Sequence, residues 1–312
     1  MTDTEIRGSG TARPPLAECP QCGAAGSGRP WLRYEELRWL RCAACGGGWL
    51  EPYESELERV SQETIEETYR VYEDSAAVFE AVAHDKAAWV MPHLRPGMTV
   101  VEIGPGVGAL SLAMRAASPG TPVVLFEPNQ RFVPRLRGLG FDVTDGDPRT
   151  ALPALLRRIA AAGRPALIIM DNVLEHVPGP VDAIAALHRA APPGSRVLVE
   201  VPNEKGLGWR ARVQDLIRGE PKPPTFPGHI NLFLRDTLAL TLKRAGGSDI
   251  SVTPEPIRRA AHIAYLTQQP ALNWRMRAAL AALNALPVDR MLGVEYWLRG
   301  AATIGSAGGG AS

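Results

Sequence analysis

The sequence predicts an α/β protein: a doubly wound, mostly parallel seven-stranded sheet whose last strand is antiparallel, with a small four-cysteine module and a helical cover in front of it. Three observations predict this. Short apolar runs alternate with helical stretches from residue 98 onward, as in a parallel sheet covered on both faces. The first run leads into a glycine-rich turn, which opens a strand–turn–helix unit. All four cysteines fall between residues 19 and 45, in two C-x2-C pairs.

Composition narrows the partners. With 34 basic and 33 acidic residues the net charge is +1, so no long-range attraction to nucleic acid or to an anionic membrane is expected. The N-terminal segment lacks the apolar core of a secretory signal. No apolar run reaches the roughly 18 residues of a membrane-spanning helix. The expected compartment is the cytoplasm, where the cysteines would not form disulfides.

The elements follow in order. Residues 1–16 are polar and rich in Gly, Pro and Thr, and read as a disordered tail. Residues 17–53 form the cysteine module. Residues 54–95 read as a helical linker or cover. Within it Ile65, Tyr69, Tyr72, Ala76 and Phe79 recur at steps of four and three, one face of a helix. A second helix is expected from Ala83 to His93. The body spans 96–304. Its strands are expected at 98–103, 122–127, 141–144, 166–171, 196–201 and 249–253. A seventh falls at 262–267 or, preferably, at 294–302. Helices are expected near 108–117, 130–139, 150–162, 179–190 and 235–245, the last stopped by Gly246-Gly247. Residues 203–228 read as an insert or lid carrying Lys205, Arg210, Arg212, Arg218 and Lys222. Residues 305–312 read as a second disordered tail.

In the run Val100–Gly108, a buried strand passes Glu102 and enters Gly104, Pro105, Gly106 and Gly108 before a helix begins. The glycines allow a tight turn and close approach of a ligand, and the helix start offers unpaired N–H groups. The spacing G-x-G-x-G differs from the G-x-G-x-x-G of dinucleotide sites. Glu127, followed by Pro128, ends the next strand 19 residues after Gly108. A carboxylate there can accept hydrogen bonds from both hydroxyls of a ribose. Asp147 and Asp145 follow the third strand. The fourth strand runs into Asp171, Asn172, Glu175 and His176. His229 and Asn231 precede the helix at 235–245.

These ordered motifs resemble those of class I, Rossmann-like, S-adenosylmethionine (SAM)-dependent methyltransferases. The resemblance extends to the group that includes ubiquinone-pathway O-methyltransferases and natural-product enzymes, and it covers roughly residues 96–250. It implies that Glu102 orients the methionine part of SAM and that Gly104, Pro105, Gly106 and Gly108 pack on it. It also implies that Glu127 and Pro128 border the ribose, Asp147 the adenine, and Asp171 and Asn172 the sulfonium. His176 and His229 are the catalytic candidates, with structural roles as the alternative for each. The acceptor expected is a small molecule, with O-methylation favoured, in secondary metabolism or saccharide modification. Docking of RNA or protein through the N-terminal module is one alternative, and a non-catalytic zinc- and SAM-binding scaffold is the other.

Cys19, Cys22, Cys42 and Cys45 fit the spacing of a four-cysteine zinc ribbon, with an iron–sulfur site or a redox pair as the alternatives. Four thiolates make a closed tetrahedral site, which holds a fold together and leaves no position for a reacting water. Most of Trp31, Tyr34, Trp39 and Trp49 are expected to supply the miniature core, with one or two of them touching the main domain or the substrate. Arg33, Arg38 and Arg41 lie on the same segment.

Overall fold

A computed structural model of the chain describes residues 15–53, 76–205, 225, 228–256 and 295–305. Ile65, Tyr69 and Tyr72, the alternative strand at 262–267, Arg210, Arg212, Arg218 and Lys222 of the insert, and most of both expected tails lie outside them.

Two sheets organise the described residues. The larger contains β4 (Thr99–Ile103), β5 (Val123–Phe126), β6 (Asp142–Thr144), β7 (Ala166–Asp171), β8 (Ser195–Pro202), β10 (Ser248–Pro256) and β11 (Glu295–Ile304), in the order β10-β11-β8-β7-β4-β5-β6. Strands β4 to β8 are parallel, and β11 runs antiparallel between β8 and β10. The expected α/β class is the one observed, with the seventh strand at the preferred position.

Alternate residues of the central strands face opposite layers. Val100, Leu167, Ile169 and Leu198 pack under helices α1 (Ala76–Val90) and α2 (Ala109–Ala117). Val101, Ile103, Ile168, Met170, Val197 and Val199 pack on the other face, against α4 (Pro148–Ala161), α5 (Pro180–Ala190) and α6 (Arg235–Arg244). The short α3 (Val133–Gly138) covers β5 and β6 through Val133 and Leu136. The chain leaves β4 toward β5 and β6, then returns to β7 on the other side of β4. That reversal opens a crevice at the carboxyl ends of β4 and β7, where ligands of open α/β sheets bind.

The helix expected to start at Ala83 starts earlier. Residues 76–90 form one helix, because neither Gly nor Pro interrupts that stretch. Pro92 ends it: proline has no N–H to continue the ladder, and a 3-10 turn, Met91–His93, follows.

The smaller sheet has the order β1 (Gly28–Tyr34), β2 (Leu37–Cys42), β3 (Gly48–Glu51) and β9 (Asn231–Leu232). The fourth strand comes from beyond β8, so the cysteine module and the body share one sheet. The pairing sets Gly48 opposite Leu232 and Trp49 opposite Asn231, and the Leu50 N–H donates to Ile230 O. This covers an edge that would otherwise present unpaired backbone groups. Trp39, Trp49, Leu50, Ile230 and Leu232 form one buried cluster across the junction. Gln21, wholly buried, donates from Nε2 to the carbonyls of both Gly48 and Leu232.

Candidate active site

Strand β4 delivers the glycine turn to the crevice. Gly104, Gly106 and Gly108 all have positive φ, which β-carbon-bearing residues adopt only at a cost. Gly104 and Gly108 carry a packing constraint that Gly106 lacks, and a β-carbon on Gly104 would lie 2.9 Å from the Val173 side chain. A β-carbon on Gly108 would lie 2.8 Å from the Leu136 side chain, whereas one on Gly106 would meet nothing within 4 Å. Gly108 is therefore required by packing against α3, and Gly106 faces open space that a ligand could enter. Gly108 is also the N-cap of α2, with no side-chain cap, so the first N–H groups of that helix point outward as an anion site would need.

The cleft above this turn is lined by Glu102, Gly104, Pro105 and Gly106, by Asp171 and Asn172 from β7, and by Phe79, Val82, Ala83 and Lys86 from α1. Glu102 is almost fully buried and accepts a hydrogen bond from the Ser111 hydroxyl; burial pushes its pKa up to about 7. Lys86 Nζ lies 2.6 Å from Asp171 Oδ1 and 2.8 Å from Glu200 Oε1. Arg299 holds the other oxygen of Glu200 at 2.6 Å. Burial raises Asp171 above the usual carboxylate range against the pull of Lys86. Glu200 feels the same burial, yet Lys86 and Arg299 together hold it low. Asn172 has φ of 51° and donates from Nδ2 to Asp171 Oδ1.

Glu127 sits at the end of β5 and reaches back to the turn, accepting hydrogen bonds from the Gly106 N–H at 3.2 Å and the Asn129 N–H at 2.8 Å. Burial raises its pKa to about 7 against those two donors. Asp147 is exposed at the start of α4. Asp145, its competitor from the sequence, is engaged by Arg137 at 3.1 Å. Glu127, Pro128, Asp147 and Gly108 are not among the described residues that line the cleft.

Beyond Asn172 the chain forms a 3-10 turn, Leu174–His176. It brings the two predicted histidines together: the rings of His176 and His229 meet edge to face at 5.0 Å. Glu175 lies beside them, 1% exposed, with burial raising its pKa to about 8.

Residues 76–252, more than half of the chain, match the family model for a methyltransferase domain. The chain belongs to that family. It is a methyltransferase. No curated protein matches it in sequence. Among solved structures the methyltransferase is similar to a SAM-dependent methyltransferase from Archaeoglobus fulgidus, at 15% identity and TM-score 0.47, over 72% of this chain and 94% of that one. It is also similar to the plantazolicin methyltransferase BamL, solved with S-adenosylhomocysteine, at 9% identity and TM-score 0.47, over 78% of this chain and 91% of that one. A third is a phosphoethanolamine N-methyltransferase of Haemonchus contortus, at 12% identity and TM-score 0.43, over 71% of this chain and 53% of that one. No helix among the described residues of the methyltransferase is long and apolar enough to cross a membrane.

The four cysteines of the methyltransferase converge. Cys19 Sγ lies 3.8 Å from Cys45 Sγ, and Cys22 Sγ lies 3.6 Å from Cys42 Sγ. A tetrahedron of Zn–S bonds near 2.3 Å requires S–S separations of roughly 3.8 Å. The backbone N–H groups of Ala44 and Cys45 point at Cys42 Sγ, and Gly23 and Gly46 adopt the positive φ that closes each knuckle. The cluster is consistent with a zinc ribbon.

Sequence reasoning missed several contributors. Lys86 and Glu200 were not singled out, because their pairing with Asp171 and Arg299 joins four separate elements. Tyr53 and Gln21 were missed too, although buried hydrogen bonds tie both to the segment around β9.

Proposed function

We propose that the cleft at the carboxyl ends of β4 and β7 binds SAM and that the acceptor is a small molecule methylated on oxygen, in secondary metabolism or saccharide modification. The observation that carries the cofactor reading is the set of charges beside the glycine turn, where Lys86 from α1 pairs with Asp171 from β7 and Glu102 lines the same cleft. The methionine end of SAM has one carboxylate and one ammonium, and these would bind to the cation and to the carboxylates in exchange for the direct Lys86–Asp171 contact. Glu127 would then take the ribose hydroxyls, its carboxylate already aimed at Gly106, with Pro128 beside it, and Asp147 would take the adenine amino group. Asn172, held on Asp171, would border the sulfonium.

SAM supplies an activated methyl group, and transfer is an in-line displacement that needs alignment and exclusion of water. The apolar wall of Phe79, Val82 and Ala83 provides the exclusion. A hydroxyl acceptor must also lose its proton. His176 and His229, on the segments just beyond the cleft, are the groups placed to take it. Zinc bound by Cys19, Cys22, Cys42 and Cys45 would be structural, in a module of residues 17–53 joined to a transferase body of 96–304. A cytoplasmic protein without a membrane partner fits this reading.

One observation favours a second reading, docking of RNA. The exposed hairpin β1–β2 sets Arg29 opposite Arg41 and Arg33 opposite Arg38, and like charges directly opposed cost stability unless a partner neutralises them.

Isothermal titration of the purified protein with SAM, S-adenosylhomocysteine and NAD, alongside Glu127→Ala, tests the cofactor reading. The expected result is saturable binding of the two adenosyl ligands, weakened at least tenfold in the variant, and no binding of NAD. Binding of NAD alone would overturn it. An acceptor screen with small hydroxyl compounds and with RNA then separates the two acceptor readings.

A further inference from the structure

Glu175, His176 and His229 bring one carboxylate oxygen and two imidazole nitrogens within 4.8 Å of one another. None of the zinc-ribbon cysteines takes part. Both Glu175 carboxyl oxygens are buried and have no hydrogen-bond partner, in a side chain only 1% exposed. A buried carboxylate without donors is costly unless it neutralises or ligates a cation. We propose that these three residues form a second metal site, one that takes a divalent transition-metal ion.

The surroundings of the two imidazoles set them up as ligands. His176 Nδ1 lies 3.0 Å from the carbonyl oxygen of Gly228. A carbonyl only accepts, so Nδ1 is the donor and the lone pair is on Nε2, the atom on the Glu175 side. For His229, the Thr225 hydroxyl donates its proton to Glu204 Oε1 at 2.9 Å. Its oxygen is left to accept from His229 Nδ1 at 3.4 Å, with Glu204 Oε1 behind it at 3.9 Å. This again leaves the lone pair on Nε2. Metal-ligating histidines are oriented in this way, by a carbonyl or carboxylate on the nitrogen that does not bind. Bonds of about 2.0–2.2 Å place ligand atoms roughly 3–4 Å apart, within the spread observed.

The backbone fixes the three groups relative to one another. Glu175 and His176 are adjacent in the 3-10 turn, and the Ile230 N–H donates to Glu175 O at 2.9 Å, which clamps the His229 loop to that turn. Two imidazoles and one carboxylate suit zinc, iron, cobalt or nickel better than magnesium or calcium. Three protein ligands leave coordination positions open. The turn follows directly on Asp171 and Asn172 of the cleft wall, and Val173 between them packs on Gly104. The open positions would hold a hydroxyl-bearing acceptor beside the methyl donor, and the ion, by lowering the pKa of that hydroxyl, would then do the work assigned above to the two imidazoles, which serve as its ligands. This last clause, unlike the metal site itself, rests on the transferase reading.

The test uses zinc as probe on the full-length protein. Wild-type protein, Glu175→Gln, His229→Gln and Cys19→Ser are equilibrated with zinc buffered at micromolar free concentration, and bound zinc is counted by elemental mass spectrometry. SAM titration of each sample reports whether the cleft is folded. The expected counts are two zinc ions per wild-type chain and one in both Glu175→Gln and His229→Gln, with SAM binding kept. Cys19→Ser should retain the second ion. One ion per wild-type chain, or two in both site variants, would overturn the proposal. Should Glu175→Gln not fold, the loop variant His229→Gln decides alone. SAM binding with a single zinc sinks the metal site and spares the transferase reading; two zincs without SAM binding do the reverse.

Discussion

The Tyr53 hydroxyl donates to Asn231 Oδ1 at 2.7 Å and accepts from the Gly179 N–H at 3.1 Å. One buried phenol thus joins the end of the cysteine module to β9 and to the cap of α5. Asn231 extends the connection, donating from Nδ2 to the carbonyls of Leu174 and Val177 on either side of the Glu175–His176 pair. The module is in this way coupled to the segment that carries both histidines.

Tyr53→Phe is expected to remove that coupling without creating a large cavity. It leaves Asn231 Oδ1 and the Gly179 N–H without this partner, a loss of about 1–3 kcal/mol for buried groups. Thermal unfolding should shift down by several degrees, while SAM affinity changes less than about threefold, because the cleft is lined by other elements. An unchanged unfolding temperature would refute this link.

Chelation should act through the same junction. Removing the zinc proposed for the cysteines should loosen the knuckles that position β2 and β3, and β3 carries the pairing to β9. We expect the fluorescence of buried Trp39 and Trp49 to shift red, and the unfolding temperature to fall, on treatment with a strong chelator. Cys19→Ser should reproduce both changes without chelator. A ribbon that tolerates both treatments would show that its apolar cluster is enough to hold it.

The two halves of the structure differ in how far local sequence revealed them. The turn at Gly104–Gly108 and the strands around it are local: each rests on a periodicity or a backbone requirement within about ten residues, and the structure places them within a few residues of expectation. The cysteine cluster was equally legible, since thiolate spacing is itself a geometric statement. The contacts that assemble the site are not local. Gln21 meets Leu232, Tyr53 meets Asn231 and Lys86 meets Asp171 across long stretches of chain, and no periodicity encodes such meetings. Glu175 was legible only as part of a motif; its burial beside His229 depends on how the later loop returns.

The glycine turn makes a contrast that a pair of substitutions can measure. Gly106→Ala places a β-carbon in open space at φ of 54°. Its cost is the left-handed backbone, roughly 1–2 kcal/mol, and it should weaken SAM binding more than it lowers stability. Gly108→Ala adds an overlap with Leu136 to the same backbone cost, and overpacking adds about 1–3 kcal/mol. It should lower the unfolding temperature more than Gly106→Ala does. The reverse ranking in stability would mean that α3 moves aside freely.

The carboxylates flanking the cleft predict how cofactor binding depends on pH. In the ligand-free protein burial raises Glu127 and Glu102 to about 7 each, so both hold a proton over part of the range from pH 4.5 to 7, where an unfolded chain would have released it. Hydroxyl donors from a ribose favour the charged form of Glu127, and an ammonium favours the charged form of Glu102. Binding therefore expels protons, and affinity for SAM should rise as pH increases through 7 and level off above about 8. Below 7 each group can contribute up to about tenfold per pH unit. Glu127→Gln and Glu102→Gln should each weaken binding at pH 8 and each remove part of the slope, because glutamine has no proton to lose. Titrations at pH 6, 7 and 8 in two buffers of different ionisation enthalpy measure both the affinity and the number of protons released. An affinity independent of pH, with no proton release, would mean that neither carboxylate changes state on binding, and that the hydroxyl and ammonium groups of SAM are held elsewhere.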